Sequence, residues 1–246
     1  MTDESYLMRA RSFGSHAADY AEHRPDYPAD GIRWALGGAA GPVLDLAAGT
    51  GKLTAGLLAA GREVTAVEPD LEMRTELSRR FPQVTALSGT AESIPLESGS
   101  VAAVLVGQAF HWFDHAAALA EIGRVLRPGG VVGLLWNAED TRVAWLAGLM
   151  GVSGTSEPNS AAGRSSMPAH PLFGAAEEMV FPHVQRRTVE SLAATFGTHS
   201  RMIVIPVEER MAALGRIRSY LLGRPETAGG EFDVPLVTKV IRARRV

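Results

Sequence analysis

Between residues 41 and about 140, short apolar runs alternate with longer stretches of helical spacing. The runs fall at 43–47, 64–67, 84–87, 101–106 and 131–136. Each is rich in β-branched residues and nearly continuous in its apolar character, as a strand covered on both faces should be. Residues 53–60 have helical spacing and stop at Gly61, a natural C-cap. Met73, Leu77 and Phe81 recur every four residues before Pro82. Leu119, Ile122, Val125 and Leu126 mark another helix, and Arg127-Pro128-Gly129-Gly130 reads as its stop and a tight turn into the next strand. Strand–helix alternation implies right-handed βαβ crossovers, so the pattern predicts an α/β fold with a mostly parallel sheet.

The flanks differ in texture. Residues 1–40 look helical around Ile32, Trp34, Ala35 and Leu36, after Arg24-Pro25-Asp26-Tyr27-Pro28. Residues 153–174 are dominated by Ser, Gly, Pro, Asn and Ala without periodicity, and read as a mobile connection that closes on a ligand. A strand at 179–181, helices over 188–197 and 207–222, and a terminal strand at 236–243 follow. The expected organisation is a helical cover (1–40), an α/β core (41–140) and a C-terminal half (141–246). That last half completes the sheet and carries a helical insertion on the substrate side, all within one domain.

Composition narrows the function. The 246 residues carry a net charge of −3, with pI near 6.2, so no basic excess points to nucleic acid or an anionic membrane. Lys52 and Lys239 are the lysines, and the arginines are scattered rather than gathered on one stripe. Cysteine is absent, which excludes disulfides, thiolate zinc sites and a Cys nucleophile. The seven histidines show no ligand spacing, so no metal is expected. The first six residues hold two acids and no apolar stretch, and no run approaches the ~20 apolar residues of a membrane span. A cytoplasmic protein is expected.

Chemistry concentrates at two places. Asp45-Leu46-Ala47-Ala48-Gly49-Thr50-Gly51 leaves a buried strand and enters a helix, where glycines permit a tight turn and helix amides face a ligand. It is not a Walker loop, because Leu53 follows Gly51-Lys52 and the earlier glycine is missing. It is a poor dinucleotide fingerprint too, since Leu53 and Thr54 stand where a third small residue would pack. Glu68 ends the next strand, at the spacing where an acid can accept both hydroxyls of a ribose. The two features together indicate a nucleoside cofactor without choosing between a nicotinamide and an S-adenosyl compound.

Four motifs in order carry a resemblance. Asp45 through Gly51, Glu68-Pro69-Asp70 with Met73, Gly89-Thr90-Ala91-Glu92-Ser93-Ile94-Pro95 and Leu126-Arg127-Pro128-Gly129-Gly130 resemble the motif set of class I S-adenosylmethionine (SAM) methyltransferases. Phe13-Gly14-Ser15-His16, Tyr20, Arg24 through Pro28 and Gln108-Ala109-Phe110-His111-Trp112-Phe113 are similar to the small-molecule subgroup of trans-aconitate methyltransferase, within methyltransferase type 11. The resemblance covers about residues 10–140. It implies a Rossmann-like fold with a seven-stranded, mostly parallel sheet, helices on both faces and a helical cap. It also implies SAM as cofactor, S-adenosylhomocysteine (SAH) as product and a small-molecule acceptor such as a carboxylate.

Position by position, the resemblance assigns Asp45, Ala47, Gly49 and Gly51 to the methionine part of SAM, and Glu68 to the ribose. Pro69, Met73, Ala91 and Glu92 border the adenine, Gln108 lines the floor near the methyl donor, and Arg24 is a candidate for the SAM carboxylate. Many relatives carry an acid where Thr90 stands here, so the reader of the adenine amine stays open. His111, beside Trp112 and Phe113, is a candidate general base or simply a packing residue. His16, Tyr20, His111, Trp112 and His199 are the candidates for the substrate side. A SAM-binding protein with non-methyl chemistry, and a binding-only or regulatory module, remain alternatives.

Overall fold

The computed structural model describes residues 24–154, 166–199, 202 and 205–246. In chain order it contains α1 (Ala29–Leu36), β1 (Val43–Leu46), α2 (Lys52–Ala59), β2 (Val64–Val67), α3 (Leu71–Arg80), β3 (Thr85–Leu87) and β4 (Val101–Gly107). A single 3-10 turn (Phe110–Trp112) precedes α4 (His115–Val125), β5 (Leu126–Glu139), α5 (Ala144–Ser153), β6 (Glu177–Arg187), α6 (Val189–Gly197), α7 (Val207–Leu222) and β7 (Phe232–Arg244). The strands form one seven-stranded sheet in the order β3-β2-β1-β4-β5-β7-β6. β1 runs parallel to β2 and β4, β2 to β3, and β4 to β5. The chain therefore steps outward from β1 to β3 and returns to the other side of β1 with β4. Open α/β sheets bind ligands beyond the strand ends where the order reverses in this way.

The described residues fall into two compact units. The first spans residues 26–137, 166–181 and 238–246; the second spans 24–25, 138–154, 182–199, 202 and 205–237. In the first, strand alternation feeds two cores. Leu44, Leu46, Val104 and Val106 pack with Leu119 and Ile122 of α4. Val43, Ala103 and Leu105 pack with Ile32 of α1, Leu57 of α2 and Leu77 of α3. Burial on both faces is why these strands read as unbroken apolar runs. Each fully buried Leu or Ile stabilises the fold by about 1.5–3 kcal/mol.

The starts of α3 and α4 are set by acids at the N-cap. Asp70 accepts the Met73 N–H at 2.9 Å, and Asp114 accepts those of Ala116 and Ala117 at 3.1 Å. At the other end of α4 the structure corrects the sequence expectation. Arg127-Pro128-Gly129-Gly130 is no separate turn, because β5 begins at Leu126 directly after the helix. The register jumps from Val101↔Leu126 to Ala103↔Val131, so the surplus residues bulge out, with Gly129 at φ 73°. Pro128 has no N–H to give the ladder, and a bulge is where a strand tolerates it.

The second unit has its own core, built from Trp145, Leu146 and Leu149 of α5, Leu192 and Phe196 of α6, Ile217 and Leu221 of α7, and Phe232 and Val234 of β7. Tyr220 donates its hydroxyl to the Trp145 carbonyl at 2.9 Å. A Cβ at Gly148 would collide with that hydroxyl, so the α5–α7 contact depends on a glycine. The expected strands at 179–181 and 236–243 lie inside the longer β6 and β7. Most of the cover expected at 1–40 before Arg24, and the middle of the connection at 153–174, lie outside the described residues.

Candidate active site

The loop that follows β1 places three residues in the left-handed region within five positions: Ala47 at φ 57°, Gly49 at 57° and Gly51 at 87°. It folds back on β2, with Ala48 donating to the Val67 carbonyl at 3.1 Å and Gly51 to Ala48 at 2.9 Å. The Gly49 N–H is donated to Glu68 Oε2 at 2.8 Å, and the Asp70 N–H to Glu68 Oε1 at 3.0 Å. Arg74 in α3 reaches back to the Glu68 carbonyl at 2.8 Å. Glu68 is buried, and desolvation pushes its carboxyl above the ordinary value, opposed by the two backbone N–H bonds. A carboxylate has about four acceptor positions. Two are taken, which leaves acceptor capacity on both oxygens.

Asp45 is fully buried, and its Oδ2 accepts the Thr54 hydroxyl at 2.5 Å. Its Oδ1 has no hydrogen-bond partner among the described residues, and neither has the buried Thr50 hydroxyl. Burial raises the Asp45 carboxyl to about 7, the Thr54 bond opposes this, and the Glu68 charge adds to it. The loop is packed on one side and open on the other. A Cβ at Gly51 would lie 2.6 Å from the Phe81 ring, whereas a Cβ at Gly49 would meet nothing within 4 Å. Open space beside donors, a ribose-type acid and orphaned buried oxygens suits a nucleoside cofactor with a polar tail.

The remaining expected residues of this unit are placed as follows. Met73 and Ala91 are buried, and Pro69 directly follows Glu68 and precedes α3. Thr90 and Ser93 form an antiparallel bridge around Ala91 and Glu92. Glu92 accepts the Asp114 N–H at 3.0 Å, so its carboxylate is held at the start of α4. Gln108, at φ 58°, donates its own N–H to Leu135 and its side-chain amide to the Asn137 carbonyl, both at 2.8 Å. His111 is half-buried in the 3-10 turn with its ring 5.0 Å from that of Trp112. Phe110 beneath it is buried and stacks on His115 at 4.7 Å.

A strap at 26–28 crosses the same strand ends. Lys52, at the start of α2, donates to Asp26 Oδ1 at 3.0 Å. Asn137, at the end of β5, donates to the Asp26 carbonyl at 3.2 Å and accepts the Thr238 hydroxyl at 2.5 Å. The Tyr27 hydroxyl lies over Gly107 at the end of β4. Sequence reasoning quoted Arg24 through Pro28 but gave Tyr27, Asp26 and Asn137 no role. The signal was the glycine at 107 ending an otherwise apolar strand.

Arg24 and His199 belong to the second unit. Arg24 donates to the Thr198 carbonyl at 2.9 Å. Burial, and next the Arg24 charge, push the His199 imidazole down to about 3, so it is neutral. Glu139, at the end of β5, is raised by burial and pulled back by Arg24. His16 and Tyr20 lie outside the described residues. Among the described residues no group of His, Asp and Glu could hold a metal ion, and no helix is long and apolar enough to cross a membrane.

The chain is similar to known proteins. Residues 44–134 match the family model described as a methyltransferase domain. An uncharacterized methyltransferase of Mycobacterium bovis is 42% identical over 241 residues, covering 94% of this chain and 95% of its own. An uncharacterized methyltransferase-like protein of Schizosaccharomyces pombe is 35% identical over 210 residues, 81% of this chain and 82% of its own. Among solved structures, a candidate type II methyltransferase from Anaeromyxobacter dehalogenans superposes with TM-score 0.66 at 28% identity, covering 90% of this chain and 97% of its own. The chain belongs to the class I SAM-dependent methyltransferases. It is a methyltransferase enzyme, and SAM is its cofactor.

Proposed function

We propose that the enzyme methylates a small-molecule acceptor, foremost a carboxylate, by in-line displacement. The observation that carries the cofactor half is the Gly49–Glu68 junction with open space over Gly49. SAM supplies a methyl group on a sulfonium that is itself a good leaving group, so alignment and exclusion of water are the protein's main tasks. The acceptor's lone pair forms the new bond to the methyl carbon as the carbon–sulfur bond breaks and its electron pair returns to sulfur. A carboxylate acceptor has no proton to lose, so this reading requires no general base.

In this reading the Glu68 carboxylate accepts the ribose hydroxyls on its remaining lone pairs. The loop amides and Asp45 meet the amino-acid tail, and Pro69, Met73, Ala91 and Glu92 border the adenine. Gln108, immobilised by Asn137, shapes the floor, and the resemblance alone assigns Arg24 to the SAM carboxylate. His111 and Trp112 line the acceptor side; His16, Tyr20 and His199 are candidates for it from the sequence alone. The resemblance to the trans-aconitate subgroup supports a carboxylate, and the acidic pI without a basic stripe counts against a nucleic-acid acceptor.

The test is incubation with methyl-labelled SAM and a panel of small carboxylic acids, phenols and amines, read by product mass. A methyl ester formed from an acid, together with SAH, is the expected result. Transfer to amines or phenols alone would overturn the carboxylate assignment.

A further inference from the structure

We propose that Arg80 is a positioning residue for the cofactor loop: together with Phe81 it locks the Thr50–Gly51 peptide in the orientation that receives SAM, without meeting SAM itself. The proposal rests on the SAM-site reading above. It begins with a peptide that the local sequence leaves free to turn. Gly51 sits at φ 87°, and a glycine takes either sign of φ at little cost. Rotation of the Thr50–Gly51 peptide would carry the Thr50 carbonyl to the other side of the loop. An oxygen turned towards the cofactor would present negative charge where the loop should offer N–H groups.

Both polar ends of that peptide are held. The Gly51 N–H is donated to the Ala48 carbonyl at 2.9 Å, and the Thr50 carbonyl accepts from Arg80 Nη1 at 3.1 Å. Gly51 is the N-cap of α2, so the Thr50 carbonyl lies before the helical ladder begins, and Arg80 supplies a donor from outside the helix. The charge on Arg80 strengthens this bond over an amide–carbonyl one. Its guanidinium also lies 5.2 Å from the centre of the Phe81 ring, within range of a cation–π contact. That ring fills the space beside Gly51, where a Cβ would stand 2.6 Å from it. Guanidinium, ring and glycine thus close one side of the loop. The open side is over Gly49, where a cofactor has room.

The end of α3 anchors the pair. Arg80 is the last residue of that helix. Phe81 donates its N–H to the Leu77 carbonyl and accepts the Val84 N–H, both at 2.9 Å. At the other end of the helix, Asp70 donates its N–H to the Glu68 carboxylate and Arg74 reaches the Glu68 carbonyl. One helix therefore engages the glycine loop at its C-terminal end and the ribose acid at its N-terminal end. Apparent affinity scales with the fraction of molecules whose loop is in the receptive orientation, and Arg80 keeps that fraction high.

The experiment is calorimetry with SAH on the full chain, as wild type, Arg80→Met, Arg80→Lys and Arg79→Met, with hydrogen exchange read at the Gly51 amide. Met keeps the aliphatic stem and removes the donor, and Lys restores a charged donor. Arg79, which pairs with Glu76 on the surface, is the neighbouring control. Arg80→Met should weaken SAH binding about three- to tenfold, as one hydrogen bond allows. Its Gly51 amide should exchange faster without ligand and regain wild-type protection at saturating SAH. Arg80→Lys should recover most of the affinity, and Arg79→Met should lose none. Unchanged SAH affinity in Arg80→Met, whatever its melting temperature, or a loss that Arg80→Lys does not reduce, overturns the proposal and leaves the cofactor site intact. Wild-type protein that binds no SAH overturns the site reading and the proposal with it.

Discussion

Gly49 donates its backbone N–H to the Glu68 carboxylate at 2.8 Å, joining the loop after β1 to the loop after β2. The same carboxylate takes the Asp70 N–H, so one buried side chain fixes both the glycine turn and the start of α3. It holds the apo loop in shape and, in the proposed complex, binds the ribose.

Glu68→Ala removes both functions. Hydrogen bonds to a charged acceptor are worth ~1.5–3 kcal/mol each. SAM affinity should fall by at least about tenfold, each 1.4 kcal/mol being a factor of ten. Calorimetry with SAM checks this, and an unchanged dissociation constant would remove the ribose role.

Gly49 and Gly51 should separate binding from stability. Both have positive φ, so any side chain costs on the order of 1 kcal/mol of backbone strain. At Gly51→Ala the new Cβ also meets the Phe81 ring, so the melting temperature should fall further than in Gly49→Ala. Gly49→Val has open space for its side chain in the free protein and should fold, yet lose SAM, because that space is where the cofactor is expected. Parallel melting curves and titrations of the variants distinguish the two effects.

Asp45 predicts a pH signature. Its folded carboxyl is raised to about 7 from the ordinary value of 3.8, so between these values the native state binds more protons than the unfolded state. The group's contribution is most favourable below pH 4 and is lost as pH rises towards 7. Asp45→Asn, which stays neutral, should therefore gain stability relative to wild type across that window and level off above it. The gain should be on the order of a few kcal/mol, given about 1.4 kcal/mol per pH unit. Urea melts at pH 4, 5.5 and 7.5 measure it, and a pH-independent difference would show that Asp45 is not raised.

Arg124 clamps the segment after the Ala91–Glu92 motif. It pairs with Glu121 and donates to the carbonyls of Ile94 and Leu96, while Glu121 accepts the Ile94 N–H. Arg124→Met keeps the aliphatic stem but leaves these acceptors without their donor, at a cost of about 1–3 kcal/mol. The melting temperature should drop by several degrees, since ~1 kcal/mol corresponds to roughly 2–4 °C at this size.

The core strands were legible because burial on both faces leaves an unmistakable run, as in 101–106. The glycine turn and Glu68 were legible because their spacing is local to one βαβ unit. Other features depend on distant partners. The Arg127–Gly130 bulge looks like a turn until its register against Val101 is known. Helix α5 went unread because Gly148 and Gly151 disguise it, and Gly148 makes sense only beside Tyr220. Tyr27 has no visible role until Gly107 lies beneath it, and Asn137 none until Asp26 and Thr238 reach it. The substrate side was least readable, because its candidates are scattered over the chain without a periodic or motif context.

Hydrogen exchange with and without SAH tests the central claim, that the cofactor sits on the Gly49–Glu68 junction, most directly. The account predicts new protection in backbone amides of residues 47–54, 68–74 and 89–93, with the amide of Gly49 among the most affected. Protection confined to other segments, at SAH concentrations that saturate calorimetric binding, would contradict it.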